Sequence, residues 1–283
     1  MTVPLEISEW KPAPFALKGE TVFAIGDVHG CAVEFRALLD GIADLAKAAR
    51  GQQRLIYLGD MINRGPDSVG VLELWAEKSE VRGVDRIDRV MGNHEIMMML
   101  AAIGGPHAHK AEAMWLSKRM GGQKLLDQMA ARAGRPAERA DLALLEAALG
   151  RRVVLRLYGM RSHVSIGNTL FVHGGLDPHA DPDEFLTRPW TVFTEARWAW
   201  INHGFLDWKG GFGGMLVVHG HTPPDKHTAI SGMEDPHLFE GDRLGLDGGS
   251  ARTGIVMGAQ IQDGRYRLLK AGTPFENPES SAE

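Results

Sequence analysis

Five times along this chain a short apolar run ends in a loop of glycine with Asp, Asn or His, and this recurrence constrains the fold more than any other feature. The runs are residues 21–25, 55–58, 86–91, 169–172 and 215–218, each with the length and composition of a buried strand. They lead into Gly26-Asp27-Val28-His29-Gly30, Gly59-Asp60-Met61-Ile62-Asn63-Arg64-Gly65-Pro66, Gly92-Asn93-His94-Glu95, Val172-His173-Gly174-Gly175 and Val218-His219-Gly220-His221-Thr222. Residues 33–50 and 68–80 carry apolar and small side chains at helical spacing. Strand, helix, strand, helix implies βαβ units and an α/β chain. In such folds sites form on the loops at the carboxyl ends of strands, where these polar blocks sit.

Residues 110–129 and 137–149 read as two further helices parted by Ala133-Gly134-Arg135-Pro136, a helical insertion near 110–150 rather than a second domain. Residues 254–261 and 265–269 flank Gln262-Asp263-Gly264 as a hairpin. A single domain over 1–272 is expected, with a disordered Pro-, Ser- and Glu-rich tail at 273–283. The formal charge of -5 argues against a general nucleic-acid or anionic-membrane surface, so any phosphate affinity must be local. No signal peptide and no long apolar run point to a cytoplasmic protein. The single cysteine, Cys31, fits a reducing compartment and reads as a small residue at a helix start.

The polar blocks carry the chemistry. In an extended segment residues two apart point the same way, so Asp27 and His29 can reach one ion from a strand end. Asp60 holds the equivalent place after the second strand, where a carboxylate with two oxygens can bridge two cations. Arg64 offers a planar fork that matches two phosphate oxygens. Asn93 can give a neutral oxygen ligand, and His94 can donate a proton near neutral pH.

In order and type the five blocks resemble the motifs of the calcineurin-like metallophosphoesterases, over about residues 21–250. The Arg-Gly and Gly-Asn-His-Glu forms are similar to the branch holding the Ser/Thr protein phosphatases and their bacterial and phage relatives. The resemblance implies a central β-sandwich flanked by helices, an α/β/β/α fold. It makes Asp27 and His29 ligands of one metal and Asp60 the bridge, with Asn93, His173 and His221 holding the second. His221 is preferred to His219 because the family's ligand lies in a Gly-His pair. Two divalent ions are implied, manganese first, with iron or zinc as alternatives. A hydroxide bridging the metals would attack phosphorus, Arg64 would hold the phosphate and His94 would protonate the leaving alkoxide.

Two departures stand out. The protein phosphatases have Asp at the place of Asn63, which is expected to accept the second N–H of His94 through its amide oxygen without supplying charge. Trp200-Ile201-Asn202 has Asn where related enzymes carry a second phosphate-binding Arg, and Arg197 is the candidate substitute. The expected activity is hydrolysis of phosphate monoesters, with phosphoserine or phosphothreonine in proteins as candidate substrates. A dinucleoside polyphosphate hydrolase is the alternative, because that family shares the stretch Arg64-Gly65-Pro66-Asp67-Ser68; Glu95, where it favours Asp, tilts towards the monoesterase. A weakly active or non-catalytic phosphate-binding protein is the third reading. The walls of the cleft are expected from residues 110–165 and from 190–208. Those stretches hold Trp115, Trp190, Trp198, Trp200 and Trp208.

Overall fold

Alternation along the central strands decides the layering. In the strand Thr21–Ile25, Val22 and Ala24 join one apolar cluster while Phe23 and Ile25 join another. In Gln53–Tyr57, Ile56 divides in the same way from Leu55 and Tyr57. Each fully buried Phe, Ile or Leu contributes about 1.5–3 kcal/mol, so a one-residue slip that exchanged the two faces would be costly.

The computed structural model describes residues 3–49, 51–77 and 81–273. Its strands are β1 (Leu5–Ile7), β2 (Lys11–Pro12), β3 (Thr21–Ile25), β4 (Gln53–Tyr57), β5 (Arg86–Arg89), β6 (His163–Ile166), β7 (Thr169–Val172), β8 (Leu216–His219), β9 (Arg243–Gly245), β10 (Val256–Gln262) and β11 (Arg265–Ala271). One sheet runs β1-β11-β10-β3-β4-β5, with β2 paired to β11, and the other runs β6-β7-β8-β9. The strands that feed the polar loops are parallel to one another: β3, β4 and β5 in the first sheet, β7 and β8 in the second. Between the sheets Val22, Ala24, Ile56 and Leu58 pack with Phe171, Val218 and Leu244. On the outer side of the first sheet lie α1 (Ala32–Ala48) and α2 (Ser68–Ala76), whose Phe35, Leu38, Leu72 and Trp75 cover Phe23, Ile25 and Tyr57. This is the expected sandwich flanked by helices.

The insertion differs from its sequence pattern. A helix, α3 (Asn93–Ile103), starts at the third polar block itself and buries Met97, Met98 and Met99. The expected helix at 110–129 is two, α4 (Ala108–Trp115) and α5 (Gly122–Ala133), because Gly121 turns the chain in a left-handed conformation at φ 70°. The one expected at 137–149 starts later, as α6 (Leu142–Leu149), where the Asp141 side chain accepts the Leu144 N–H as its cap. Gly150, at φ 81°, then lets the chain resume as α7 (Arg151–Tyr158), so the helical insertion extends past 150. β10 and β11 form the expected hairpin with Gln262 opposite Arg265. The expected tail lies, from residue 274, outside the described residues. Among the described residues no helix is long and apolar enough to cross a membrane.

Candidate metal centre

All five polar loops meet at the carboxyl ends of β3, β4, β5, β7 and β8. The backbone there is held out of its ordinary conformations: of the seven non-glycine residues with positive φ among those described, five are His29, Asp60, Asn63, Arg64 and His221. Each such residue costs roughly 1–3 kcal/mol and persists only where its surroundings over-determine it. Here Val28 and His29 both donate N–H to Asp60 O, Gly65 donates to His29 O, and Asn63 N–H is taken by Ser68 Oγ. Glycines permit the close approach, since a Cβ on Gly92 would overlap Asp60 and one on Gly220 would overlap Asp27 Oδ1.

The donor atoms converge on Asp60. His173 Nε2 lies 3.4 Å from Asp60 Oδ2 and His29 Nε2 3.7 Å from the same oxygen. His29 Nε2 is also 3.8 Å from Asp27 Oδ2. Asn93 Oδ1 stands 3.1 Å from His173 Nε2 and 2.9 Å from His221 Nδ1. Asp60 thus faces two groups, one of His29 with Asp27 and one of Asn93, His173 and His221.

The far nitrogen of each imidazole explains what the near one offers. His29 Nδ1 donates to Ile62 O (2.9 Å), His173 Nδ1 to Leu58 O (2.8 Å) and His221 Nε2 to Trp200 O (3.2 Å). With one N–H committed to a carbonyl, the other nitrogen of His29 and of His221 presents a lone pair to the cluster, and that of His173 would do so on losing its proton. Arg64, which has only donors, points Nη1 at His29 Nε2 (2.8 Å), consistent with that lone pair. Asp27 Oδ2 is buried with no hydrogen-bond partner. Lone pairs crowding together and a buried carboxylate oxygen without a donor are what a cation would relieve. The donor set of carboxylates, one amide oxygen and imidazoles fits divalent ions.

Electrostatics reads the same way. Burial and Asp247 push the Asp27 carboxyl well above the usual range. Burial alone would raise Asp60 too, but His173, His94 and His29 hold it well below. His173 is pushed up to about 10, Asp60 overcoming the effect of burial, so in the metal-free protein a proton stands in for positive charge. Burial, aided by Arg64, lowers His29 to about 4, and burial with His173 lowers His221 to about 3, leaving both rings neutral.

Of the two histidines in the fifth loop, His221 is the one in the cluster. His219 turns away, its ring stacked on His227 at 5.6 Å and 12° and its Nδ1 3.0 Å from Gly220 O.

His94 has a different polarity from the other three rings, and here an expectation is reversed. Trp115 Nε1, which can only donate, gives its N–H to Asn63 Oδ1 (3.0 Å), so the amide turns its NH2 to His94 Nδ1 (2.6 Å). Asn63 therefore donates to His94 instead of accepting from it. His94 Nδ1 is an acceptor, and the ring's proton sits on Nε2, buried without a partner and 3.9 Å from Asp60 Oδ2. A ring presenting N–H to the cluster is not a ligand in this arrangement, although it lies close enough to be one.

Arg197 does not reach the cleft. Its guanidinium pairs with Asp177 (3.2 Å) and lies over Phe185, because the single turn Arg197–Ala199 points it across to the loop after β7. Two other cations take the expected place: Arg119 and Lys226 line the same cleft, about 230 Å³, as Arg64, Asp60, His94 and Trp200. An adjoining recess of about 270 Å³ shares Arg64 and adds Asp247 and Arg252. Sequence spacing gave no signal for Arg119 or Lys226, which belong to no strand-end loop. Glu95 faces inward, its carboxylate accepting N–H from Asp60 (2.8 Å), Met61 (2.9 Å) and Gly92 (3.1 Å), and burial with Asp60 raises it to about 7. It fastens two loops together and touches no substrate space. The insertion clamps the Asn63–Ser68 loop through Trp115, through Lys124 to Arg64 O (2.9 Å) and through Gln128 to Pro66 O (2.6 Å).

The family model described as calcineurin-like phosphoesterase matches residues 20–248, most of the chain. Among curated proteins, the symmetrical bis(5'-nucleosyl)-tetraphosphatase of Nitrosospira multiformis is 34% identical over 93 residues, 33% of this chain and 30% of that protein. The enzyme of the same name from Methylococcus capsulatus is 36% identical over 84 residues, 29% of this chain and 27% of its own. The chain thus matches less than a third of the length of these relatives. A solved structure of a cold-active protein-tyrosine phosphatase from a psychrophilic Shewanella overlays 88% of this chain and 80% of that one, with a TM-score of 0.49 and 17% identity.

Proposed function

The chain belongs to the calcineurin-like phosphoesterase family, and from that premise we propose that it is a dinuclear-metal hydrolase acting on a phosphoanhydride link in a small molecule of the dinucleoside polyphosphate kind. Asp27, His29, Asp60, Asn93, His173 and His221 would hold the two cations, and oxygen and imidazole donors without thiolate suit manganese, iron or zinc. Bound there, the cations would supply an activated water and neutralise charge on the phosphoryl oxygens.

The observation that carries the choice of substrate is the polarity of Trp115, Asn63 and His94. His94 offers one N–H, from Nε2. It can donate a hydrogen bond to a phosphoryl or leaving oxygen, but full transfer of that proton would leave an imidazolate. The leaving group must depart as an anion. A phosphate oxygen does so readily, its second pKa being about 6. An alkoxide such as that of serine is nearly as basic as hydroxide, whose parent water has a pKa of about 15.7, and needs a proton. Three cations, Arg64, Arg119 and Lys226, line one cleft beside the ring of Trp200, an arrangement suited to several phosphates and a base. The name of the curated relatives supports the same reading.

The test is a comparison of kcat/KM on protein stripped of metal and reloaded with Mn²⁺. Diadenosine tetraphosphate should exceed a phosphoserine peptide by at least tenfold, with p-nitrophenyl phosphate, whose leaving group also needs no proton, nearer the dinucleotide. A peptide hydrolysed as well as the dinucleotide would overturn the choice of substrate.

A further inference from the structure

A second basic pocket lies apart from the cleft. It encloses about 320 Å³ between Asp88 and Arg89 of β5, Arg156 and Gly159 at the end of α7, and Arg161, and none of its lining residues lines the cleft. The backbone there is firm: Arg161 N–H donates to Arg89 O (2.9 Å) and Met91 N–H to Arg161 O (2.8 Å).

Its charges do not balance. Asp88 is the one carboxylate among the described residues that line the pocket, and its oxygens already serve Arg54 (2.8 Å), Arg86 (3.1 Å) and Arg161 (3.9 Å). Arg89 gives two of its N–H groups to Trp75 O and lies over the Trp75 and Tyr57 rings, and among the described residues no carboxylate forms an ion pair with it. Arg156 Nη1 is buried and has no hydrogen-bond partner among the described residues. A buried donor without an acceptor costs about 1–3 kcal/mol, and more when charged. Burial, with repulsion by Arg156 for Arg89 and by Arg152 for Arg156, lowers both guanidinium pKa values. All this stands in a chain with a net charge of -5, so general attraction for anions is not the explanation.

We infer that this pocket binds a phosphate group, held by the guanidinium groups of Arg89, Arg156 and Arg161. Planar forks approaching from two elements match an oxyanion with more than one charge and several acceptor oxygens. The phosphate could be the free ion or the terminal group of a nucleotide, and the two share the same recognition chemistry.

The experiment is an ¹⁵N-resolved NMR titration of the full chain, with and without Zn²⁺, using inorganic phosphate in one arm and AMP in the other at constant ionic strength. Saturable shifts are expected for the amides of Arg89, Arg156, Gly159 and Arg161. Shifts with both probes would assign the pocket to phosphate on a nucleotide as well as free; shifts with phosphate alone would assign it to the free ion. Arg156→Gln should weaken the response at least tenfold while leaving shifts around Arg64 and Arg119 intact. If that variant fails to fold, Arg161→Gln, on a side chain that is 59% exposed, carries the same expectation. Linear shifts equal to those given by chloride, or saturable shifts unchanged in the variant, would overturn the inference.

Discussion

Replacing Asn63 by Asp tests the polarity argument at a single atom. Trp115 Nε1 would still donate to one carboxylate oxygen, while the other would face His94 Nδ1 and accept from it, so neither of these two nitrogens loses its partner. The new negative charge stands beside the ring, where the amide nitrogen is now 2.6 Å from Nδ1. Two unit charges about 4 Å apart at an effective dielectric of 20 interact by about 4 kcal/mol. At 1.36 kcal/mol per unit that would raise the His94 pKa by about 3, the upper end of the usual 1–3 for an adjacent opposite charge. Burial holds His94 well below its ordinary value in the native chain, and the new charge shifts it back towards that value, favouring imidazolium. General acid help is worth about 10²–10⁴ in rate, and a partly protonated ring should deliver about 10–100-fold on a phosphoserine peptide. Diadenosine tetraphosphate, whose leaving group needs no proton, should change less than about threefold, the prediction resting on the same Brønsted reasoning. The acid form is the active one, so the gain should be largest at low pH and disappear as pH rises through the raised pKa. Steady-state rates on both substrates from about pH 5 to 9, at equal metal content, decide it. No gain with the peptide at any pH would refute the reasoning and leave His94 with no part in leaving-group protonation.

Asp60→Asn should reduce both metal content and activity more than loss of any other proposed ligand, by about 10–100-fold or beyond, because Asp60 faces both donor groups; elemental analysis beside kinetics checks this. Arg119→Ala combined with Lys226→Ala should raise KM for diadenosine tetraphosphate about tenfold or more and leave p-nitrophenyl phosphate nearly unchanged, since a single phosphate can be held by Arg64 alone; equal effects on both would argue against an extended phosphate track. Metal-free protein should lose stability as the solution becomes alkaline. The folded pKa of His173 is about 10 against an unfolded 6.5, so its contribution is fully present below 6.5 and lost as pH rises through 10. A fall in melting temperature of at least ~2–4 °C between pH 7 and 10 is expected, absent in His173→Gln.

The chain announces its strands and loops through local rules, and these are the parts that could be read without coordinates. Strand ends at Ile25 and Leu58, followed by glycine and a carboxylate, fix where Asp27 and Asp60 emerge because period-two alternation and parallel pairing leave few other arrangements. The same rules place His173 after β7 and a His-Gly-His loop beyond β8; the grouping of Asn93, His173 and His221 with Asp27, His29 and Asp60 comes from the family resemblance, not from these local rules. Boundaries inside the insertion were only partly legible. Gly121 interrupts a stretch that periodicity alone would carry through, while the stop before Gly150 is legible and the helix that resumes after it is not; the choice between a tolerated glycine and a left-handed stop depends on what packs around it. Arg197, the candidate substitute for the missing second Arg, failed for a related reason: the segment is a single tight turn with Asp177 within reach.

Asn63 shows how a correct local observation can carry the wrong sign. The sequence identifies an amide beside His94, and an amide has both an acceptor and a donor end. Which end meets the imidazole is decided by whatever holds the other. That group is Trp115, 52 positions along the chain, on a helix whose packing no motif describes. Because an indole N–H has no acceptor capacity, its presence forces the amide oxygen towards itself and the amide NH2 towards His94. The insertion therefore does more than wall the cleft. Through one buried hydrogen bond it sets which His94 nitrogen carries the proton, and, on the function proposed above, which leaving groups the site can release.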